Sequence, residues 1–414
     1  DLETATDRKG VLSRFTYDNE HRRTSVTRAG QLVESVVYDP VGNRLELRNA
    51  RNHVTRWRYT PTNLVEEMTQ VLETGDAVWF HTYTPTGKLQ SVLDPASVLT
   101  EYTYDRRDRE TERRIPGLNG PEIHQQRYDL NGNRTKRILP KGTEWTYVYD
   151  AANRLESVES DIGYMTSFGY SLDDVLVSVT DANLHVSERT PDALGRVKAF
   201  TYPATDTCAE PACRTQQQLF DGEGLVRTLI QPNGATRTRT PDALNRIRTE
   251  SAVLSGQGSL DETRTYDPNG NVLTRTLMGE ADQAGQGGLT RQIAREYDPR
   301  DRMIRDEVSL SGGTALFAGL GDFRATQTFV PDAAGNRINR RDAANVLETA
   351  TFDAADRPLT NSSAEGAVSI VWNRDGTMHA RQHGNGTEAV YRYDPAKRVT
   401  GIDYRRGGVS TLSL

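Results

Sequence analysis

Polar and aromatic positions alternate along Glu144–Tyr149. Trp145, Tyr147 and Tyr149 share one face, and Glu144, Thr146 and Val148 share the other. The same two-residue period groups Thr100, Tyr102 and Tyr104, and again Ala389, Tyr391 and Tyr393. This alternation predicts β-strands. Each run ends at an aromatic followed by turn residues. The cleanest copies are Tyr38-Asp39-Pro40-Val41-Gly42-Asn43-Arg44, Tyr128-Asp129-Leu130-Asn131-Gly132-Asn133-Arg134 and Tyr266-Asp267-Pro268-Asn269-Gly270-Asn271. An Asp there can bond backbone two residues on, and Gly or Asn accepts a positive φ. Half a unit later a second turn follows, as at Pro232-Asn233-Gly234, Asp181-Ala182-Asn183 and Asn385-Gly386. Two strands and two turns make a β-hairpin whose strands are each about 20 Å long. Beyond the first turn apolar residues fall three apart (Leu89 and Val92, Leu155 and Val158), which predicts a bulge or bend.

The hairpin recurs along the whole chain. Anchored on the aromatic slot, copies stand at Tyr17, Tyr38, Tyr59, Tyr83, Tyr104, Tyr128, Tyr149, Tyr170, Pro191, Phe220, Pro241, Tyr266, Tyr297, Pro331, Phe352, Trp372 and Tyr393; nine of the sixteen intervals are 21 residues. A fixed period in this range is the signature of a repeat architecture. The sequence therefore predicts an all-β fold and a single array over residues 1–414, with about 17 units and truncated at both ends. Asp39, Gly42, Asp105, Asp129, Gly132, Asp150, Asp267, Gly270, Asp298 and Asp394 complete the motif beside their aromatics. A carboxylate present in nearly every unit reads as a turn cap and not as a catalytic group. Longer intervals place insertion loops near 203–215, 279–290 and 308–325.

Composition refines this picture. With 35% hydrophobic residues and a mean hydropathy of −0.68, there is enough apolar matter for one stripe per hairpin. The other face must be wet, and so long a sheet must curl, spiral or pack on itself. A net charge of −6 argues against a nucleic-acid surface. No stretch approaches eighteen apolar residues, so no membrane span is expected. The chain holds six lysines and forty-five arginines. Two readings of that bias are compatible: a GC-rich coding sequence, and arginines that stack on tyrosines and pair with aspartates across strands. The anchor tyrosines are expected to be buried and to stack on one another between neighbouring hairpins.

Cys208 and Cys213 lie close enough in sequence to close a small loop, and a disulfide between them would suit an extracytoplasmic setting. His379 and His383 form an H-x-x-x-H pair, but strand geometry sets them about 13 Å apart, too far to share one metal ion. No catalytic or phosphate-binding motif is present, so no enzyme activity and no cofactor is expected.

The repeat closely resembles the Rhs/YD-repeat family, whose unit is a Tyr-Asp motif of about twenty residues. Its members include bacterial Rhs toxins, C subunits of insecticidal toxin complexes, wall-associated proteins and teneurins. The resemblance implies a spiral ribbon of hairpins forming part of a hollow shell on a secreted or cell-surface protein. It further implies that the array encloses a C-terminal toxin or effector domain outside these residues. Its partners would be the remaining repeats of the parent and that cargo. The family's C-terminal core, with its self-cleaving aspartates, is not found in these 414 residues. The alternative is a cell-surface adhesion module binding a glycan or receptor. A polysaccharide-acting enzyme is a distant third.

Overall fold

The computed structural model describes residues 1–205, 208–254, 258–279, 290–312, 323–364 and 366–413. The described residues form 36 strands in one antiparallel sheet, and the helix among them is a single 3-10 turn, Pro211–Cys213. Wherever pairing is described, each strand runs antiparallel to the next in sequence, as for Glu144–Tyr149 with Leu155–Ser160 and then Met165–Tyr170. The expected alternation is present: Trp145, Tyr147 and Tyr149 are half-buried, while Thr146 and Val148 are exposed.

The anchor turn and many of the distal turns share one geometry. In the anchor turn the Asp39 amide donates to Asn43 O (2.9 Å) and the Gly42 amide donates to Asp39 O (3.1 Å). The fourth residue is left-handed, with φ +100° at Gly42 and +61° at Asn153. Gly, Asn and Asp fill that slot because they tolerate it best. This is a three-residue hairpin loop closed by a bulge. The extra residue follows the turn: Tyr149 pairs with Leu155 and Val148 with Ser157, so Glu156 is unpaired. The same register shift occurs at every anchor whose pairing is described. The distal turn, for example Leu139–Thr143, repeats the hydrogen bonds with Gly142 at φ +88°.

Backbone proximity divides the chain into two compact units. The first comprises Asp1–Ile123, Arg295–Asp306 and Ala325–Leu414; the second comprises His124–Ala294 and Glu307–Arg324. Among the described residues no large side chain is fully buried. In the first unit, the hydrophobic cluster of Leu72, Ala77 and Ala354, flanked by Trp79 and Ala355, brings together residues almost three hundred positions apart in sequence.

The insertion expected near 203–215 holds the 3-10 turn, and Cys208 and Cys213 are joined there with Cα atoms 6.0 Å apart. Most of the insertions expected near 279–290 and 308–325 lies outside the described residues.

Candidate functional site

The motif aspartate is the hub of most anchor turns, and the hydroxyls of Thr60, Thr84 and Ser171 take its place in three others. Asp39 Oδ1 accepts the amides of Val41 (3.0 Å) and Asn43 (2.8 Å), and Oδ2 accepts Asn43 Nδ2 (2.8 Å). Asp129 and Asp267 engage Asn133 and Asn271 in the same way. Where the fourth position after Asp is Arg, the guanidinium takes the place of the amide. Arg109 Nε lies 2.7 Å from Asp105 Oδ2, Arg154 2.8 Å from Asp150, Arg302 2.7 Å from Asp298 and Arg398 2.7 Å from Asp394. The Arg109 guanidinium holds the Asp105 carboxyl below the usual carboxylate range against the opposing effect of burial, and the Arg154 amide and guanidinium do so for Asp150.

These arginines also reach forward one repeat. Arg246 Nη1 donates to Asp267 O (3.1 Å) while its guanidinium lies over the Tyr266 ring, 4.4 Å from the centroid. Arg22 does the same with Asp39 O (2.7 Å) and Tyr38 (5.0 Å), and Arg357 with Asn373 O (3.0 Å) and Trp372 (5.4 Å). Each such side chain staples a turn, the next turn and the next aromatic together.

The anchor tyrosines use their hydroxyls as well. Tyr17, Tyr38, Tyr104 and Tyr149 donate to the carbonyls of Leu2, Arg23, Leu89 and Arg134, each fifteen residues earlier. Tyr266 reaches Ile247 O at 2.6 Å, Tyr128 lies 3.4 Å from Gln126 Oε1, and Tyr393 meets the Met378 backbone. Tyr297 ends its strand beside Asp298. Burial pushes the phenols of Tyr104 and Tyr149 above the ordinary tyrosine range.

Two expectations are corrected. The anchor aromatics are half-buried and not largely buried, and over Tyr38, Tyr170, Phe220, Tyr266 and Trp372 lies the preceding repeat's arginine. The close ring pair Phe200–Tyr202 (4.8 Å) sits next to the cysteine loop and not between anchors. A ring face attracts a guanidinium that is also anchored by a carboxylate, so the cation outcompetes a second ring. Arginine pairs with aspartate across strands as expected, at Arg392–Asp403 (2.6 Å) and Arg295–Asp306 (3.0 Å), and it also pairs with the aspartate of its own turn.

Within the first unit a second set of contacts joins distal turns of the early repeats to anchor turns of the late ones. Lys9 Nζ lies 3.2 Å from Asp301 Oδ1, and Arg28 bridges Asp7 (2.7 Å) and Asp301 (2.6 Å). Arg51 donates to Asp353 O, Asp356 Oδ1 and Phe352 O, and lies 3.2 Å from Asp332 Oδ2. Further along, Ala354 packs on Leu72, and a Cβ added to Gly75 (φ +104°) would come within 2.9 Å of Arg374 Nη2. Lys397 reaches Asp94 (3.1 Å), and Arg398 pairs with Glu122. Distal positions 9, 51, 75 and 94 therefore meet anchor positions 301, 353, 374 and 397, advancing together along both edges. This is an edge-on-edge seam in register. A groove of about 500 Å3 along it is lined by Pro95, Val98, Asp375, Tyr391, Tyr393 and Lys397. Its acids, Asp375 and Asp394, are engaged in ion pairs by Lys397 and Arg398. Sequence reasoning missed the seam. The signal for it was a cation at the third position of distal turns, at Lys9 and Arg51.

Among the described residues no group of three His, Cys, Asp or Glu could hold a metal ion, and no helix is long and apolar enough to cross a membrane. His379 and His383 both lie in the strand Met378–His383.

The chain is similar in structure to the TcdB2-TccC3 protein, with 13% identity, a TM-score of 0.49 and coverage of 96% of this chain and 28% of that one. It is also similar to the Photorhabdus luminescens Tc holotoxin pore, with 12% identity, a TM-score of 0.46 and coverage of 97% and 29%. The chain thus spans less than a third of the length of the chains it matches. No curated protein sequence matches it. The Teneurin YD-shell family model matches residues 8–202. The same anchor, left-handed turn slot, bulge and aspartate–arginine hub continue through Arg398, so the repeat unit matched over residues 8–202 recurs along the rest of the chain.

Proposed function

We propose that this chain is a non-catalytic segment of shell wall in a longer secreted or cell-surface protein, and that the wall encloses a C-terminal toxin or effector domain outside these residues. The single observation that carries the reading is the in-register seam of the first unit. A ribbon that lays the distal edge of early repeats on the anchor edge of late ones builds a continuous surface wider than one hairpin. A binding module needs no such seam. The side-chain chemistry fits the same role, because every strong motif is spent on turns, staples and the seam. The enclosed cargo rests on the family resemblance. Cryo-electron microscopy of the full-length parent tests the reading. A closed wall with separate density inside is expected. A solid particle, or an open ribbon with no interior, contradicts it.

A further inference from the structure

We infer that the seam of the first unit is a line along which the wall parts as one piece and rejoins in one register, while the ribbon on either side stays folded. The inference rests on the wall reading and adds where such a wall opens. Each edge is held internally by backbone pairing: Arg48 pairs with Val54 in the early repeats, and Thr349 with Ser362 in the late ones. Across the seam, among the described residues, no hydrogen bond joins backbone to backbone. The bonds that cross have a side chain at one end or both, as when Arg51 donates to Asp353 O or the Ala354 amide donates to Glu73 Oε2 (3.3 Å). The edges can therefore separate without breaking a strand pair.

Little apolar surface opposes that separation. The hydrophobic cluster across the seam is Leu72, Ala77 and Ala354, with Trp79 and Ala355 at its margin. The other contacts are chiefly ion pairs in partial contact with water. Their cation side chains run from 18% exposed at Lys9 and Arg51 to 56% at Arg398. Pairs of this kind contribute little each and are screened by salt. A polar interface between bodies with their own internal bonding allows those bodies to move apart. The sheet on either side is continuous, so the contacts are made or lost together and not one turn at a time.

The order of the charges sets the register. On the early edge Lys9, Arg28 and Arg51 are cations, and they face Asp301, Asp332 and Asp356. Beyond the Leu72 cluster the signs exchange: Asp94 and Glu122 on the early edge face Lys397 and Arg398 on the late one. Asp301, Asp356 and Lys397 each occupy the left-handed slot of their turn, at φ +62°, +59° and +62°. The other two late turns place Gly335 and Gly376 there. That conformation is unfavourable for a lysine, and Lys397 holds it where it meets Asp94 at 3.1 Å. A slip of one repeat would set Gly376 in the place of Lys397 and leave Asp94 without that partner.

The experiment uses the whole chain. Carbodiimide links between Lys9 and Asp301 and between Lys397 and Asp94 report the two ends of the seam. Arg51→Glu, between those ends, sets an acid against Asp332 and Asp356. Both links should be lost, and the far-UV circular dichroism should remain that of a β-sheet. Arg58→Glu is the control: Arg58 pairs with Glu66 and Glu67 within its own hairpin, and both links should stay. The wild type in about 1 M salt, where the screening length is ~3 Å, should lose both links and regain the same two when the salt is removed. Survival of either link in Arg51→Glu or in salt, or relinking at other residue pairs, would overturn the inference. Loss of the β-sheet signal together with the links would overturn it too, because the ribbon would then depend on the seam. A wild type with neither link at low salt would remove the seam itself and the wall reading with it.

Discussion

Two stretches of the second unit build the same ladder from different side chains. In Glu144–Thr180 the slots before the anchor hold Trp145, Tyr147 and Phe168. In Thr236–Gly279 they hold Arg237, Arg239, Glu262 and Arg264. The second stretch is held by ion pairs. Glu250 pairs with Arg237 (3.3 Å) and Arg239 (2.9 Å), and Glu262 pairs with Arg264 and Arg275 (2.7 Å). Glu250 and Glu262 face each other across neighbouring strands, a like-charge contact that only the flanking arginines make tolerable. Strands of five or six residues in the first stretch give way, after Thr236–Pro241, to strands of eight or nine. Yet the anchor turn and the bulge are unchanged between the two, and both centre turns on an aspartate, with Ser171 in that place after Tyr170. The fold is specified at the turns, and the face between them is free to change its chemistry.

Predictions that break or sharpen this contrast begin with the charged face. Glu262 is 7% exposed, so removing it strands two guanidiniums, one of them partly solvated. Glu262→Ala should cost ~2–3 kcal/mol, read as lost hydrogen-exchange protection in Gly258–Tyr266. In about 1 M salt that cost should shrink, while the cost of Tyr147→Ala should not. Equal salt responses would show that the two faces do not differ in kind.

Next in size is the shared turn. Gly132→Val places a β-branched residue at φ +99° and should cost about 2 kcal/mol. Asn153→Gly at the equivalent slot should be close to neutral in thermal unfolding. A neutral valine would remove the turn from its specifying role.

Arg246→Lys keeps the charge but loses the fork to Asp242 and the ring contact with Tyr266. We expect ~1 kcal/mol and faster exchange at the Asp267 turn. Full stability with lysine would mean that the staple is only a surface ion pair.

Acid should separate the stretches more gently. Burial raises the Glu262 carboxyl, but Arg275 and Arg264 outweigh it and hold it low. A depressed folded-state pKa contributes stability above the unfolded value of about 4.3 and loses it as pH falls through the folded value. Both stretches lose their turn carboxylates below about pH 4, and only the charged one also loses its rung. Hydrogen exchange across that range should therefore show Thr236–Gly279 opening first. The smallest effect is Thr265→Val, which removes one hydroxyl contact to Thr274 (2.6 Å) and should cost a few tenths of a kcal/mol.

The hairpin was legible in the sequence because its signals are local. Alternation around Tyr147, the Asp-to-Gly turn at Asp129–Gly132 and the offset of Leu155 and Val158 each depend on residues a few positions apart. The arginine excess pointed to stacking on aromatics. It could not say that Arg246 would hold its own turn's Asp242 while covering Tyr266, because that geometry appears only when two repeats lie side by side. The seam was hidden for a stronger reason. Arg51 and Asp353 are three hundred residues apart in near-identical motifs, and no local pattern tells a docked turn from a free one.

The claim that the ribbon lies edge on edge with itself rests on that seam, and the scarcity of lysine allows a direct test. Zero-length carbodiimide coupling joins ammonium and carboxylate groups already in contact, and mass spectrometry locates the links. Lys9 should join Asp301, and Lys397 should join Asp94, across the 3.2 Å and 3.1 Å ion pairs of the seam. If both lysines couple only to carboxylates in their own or adjacent repeats, the edges do not meet and the wall account fails.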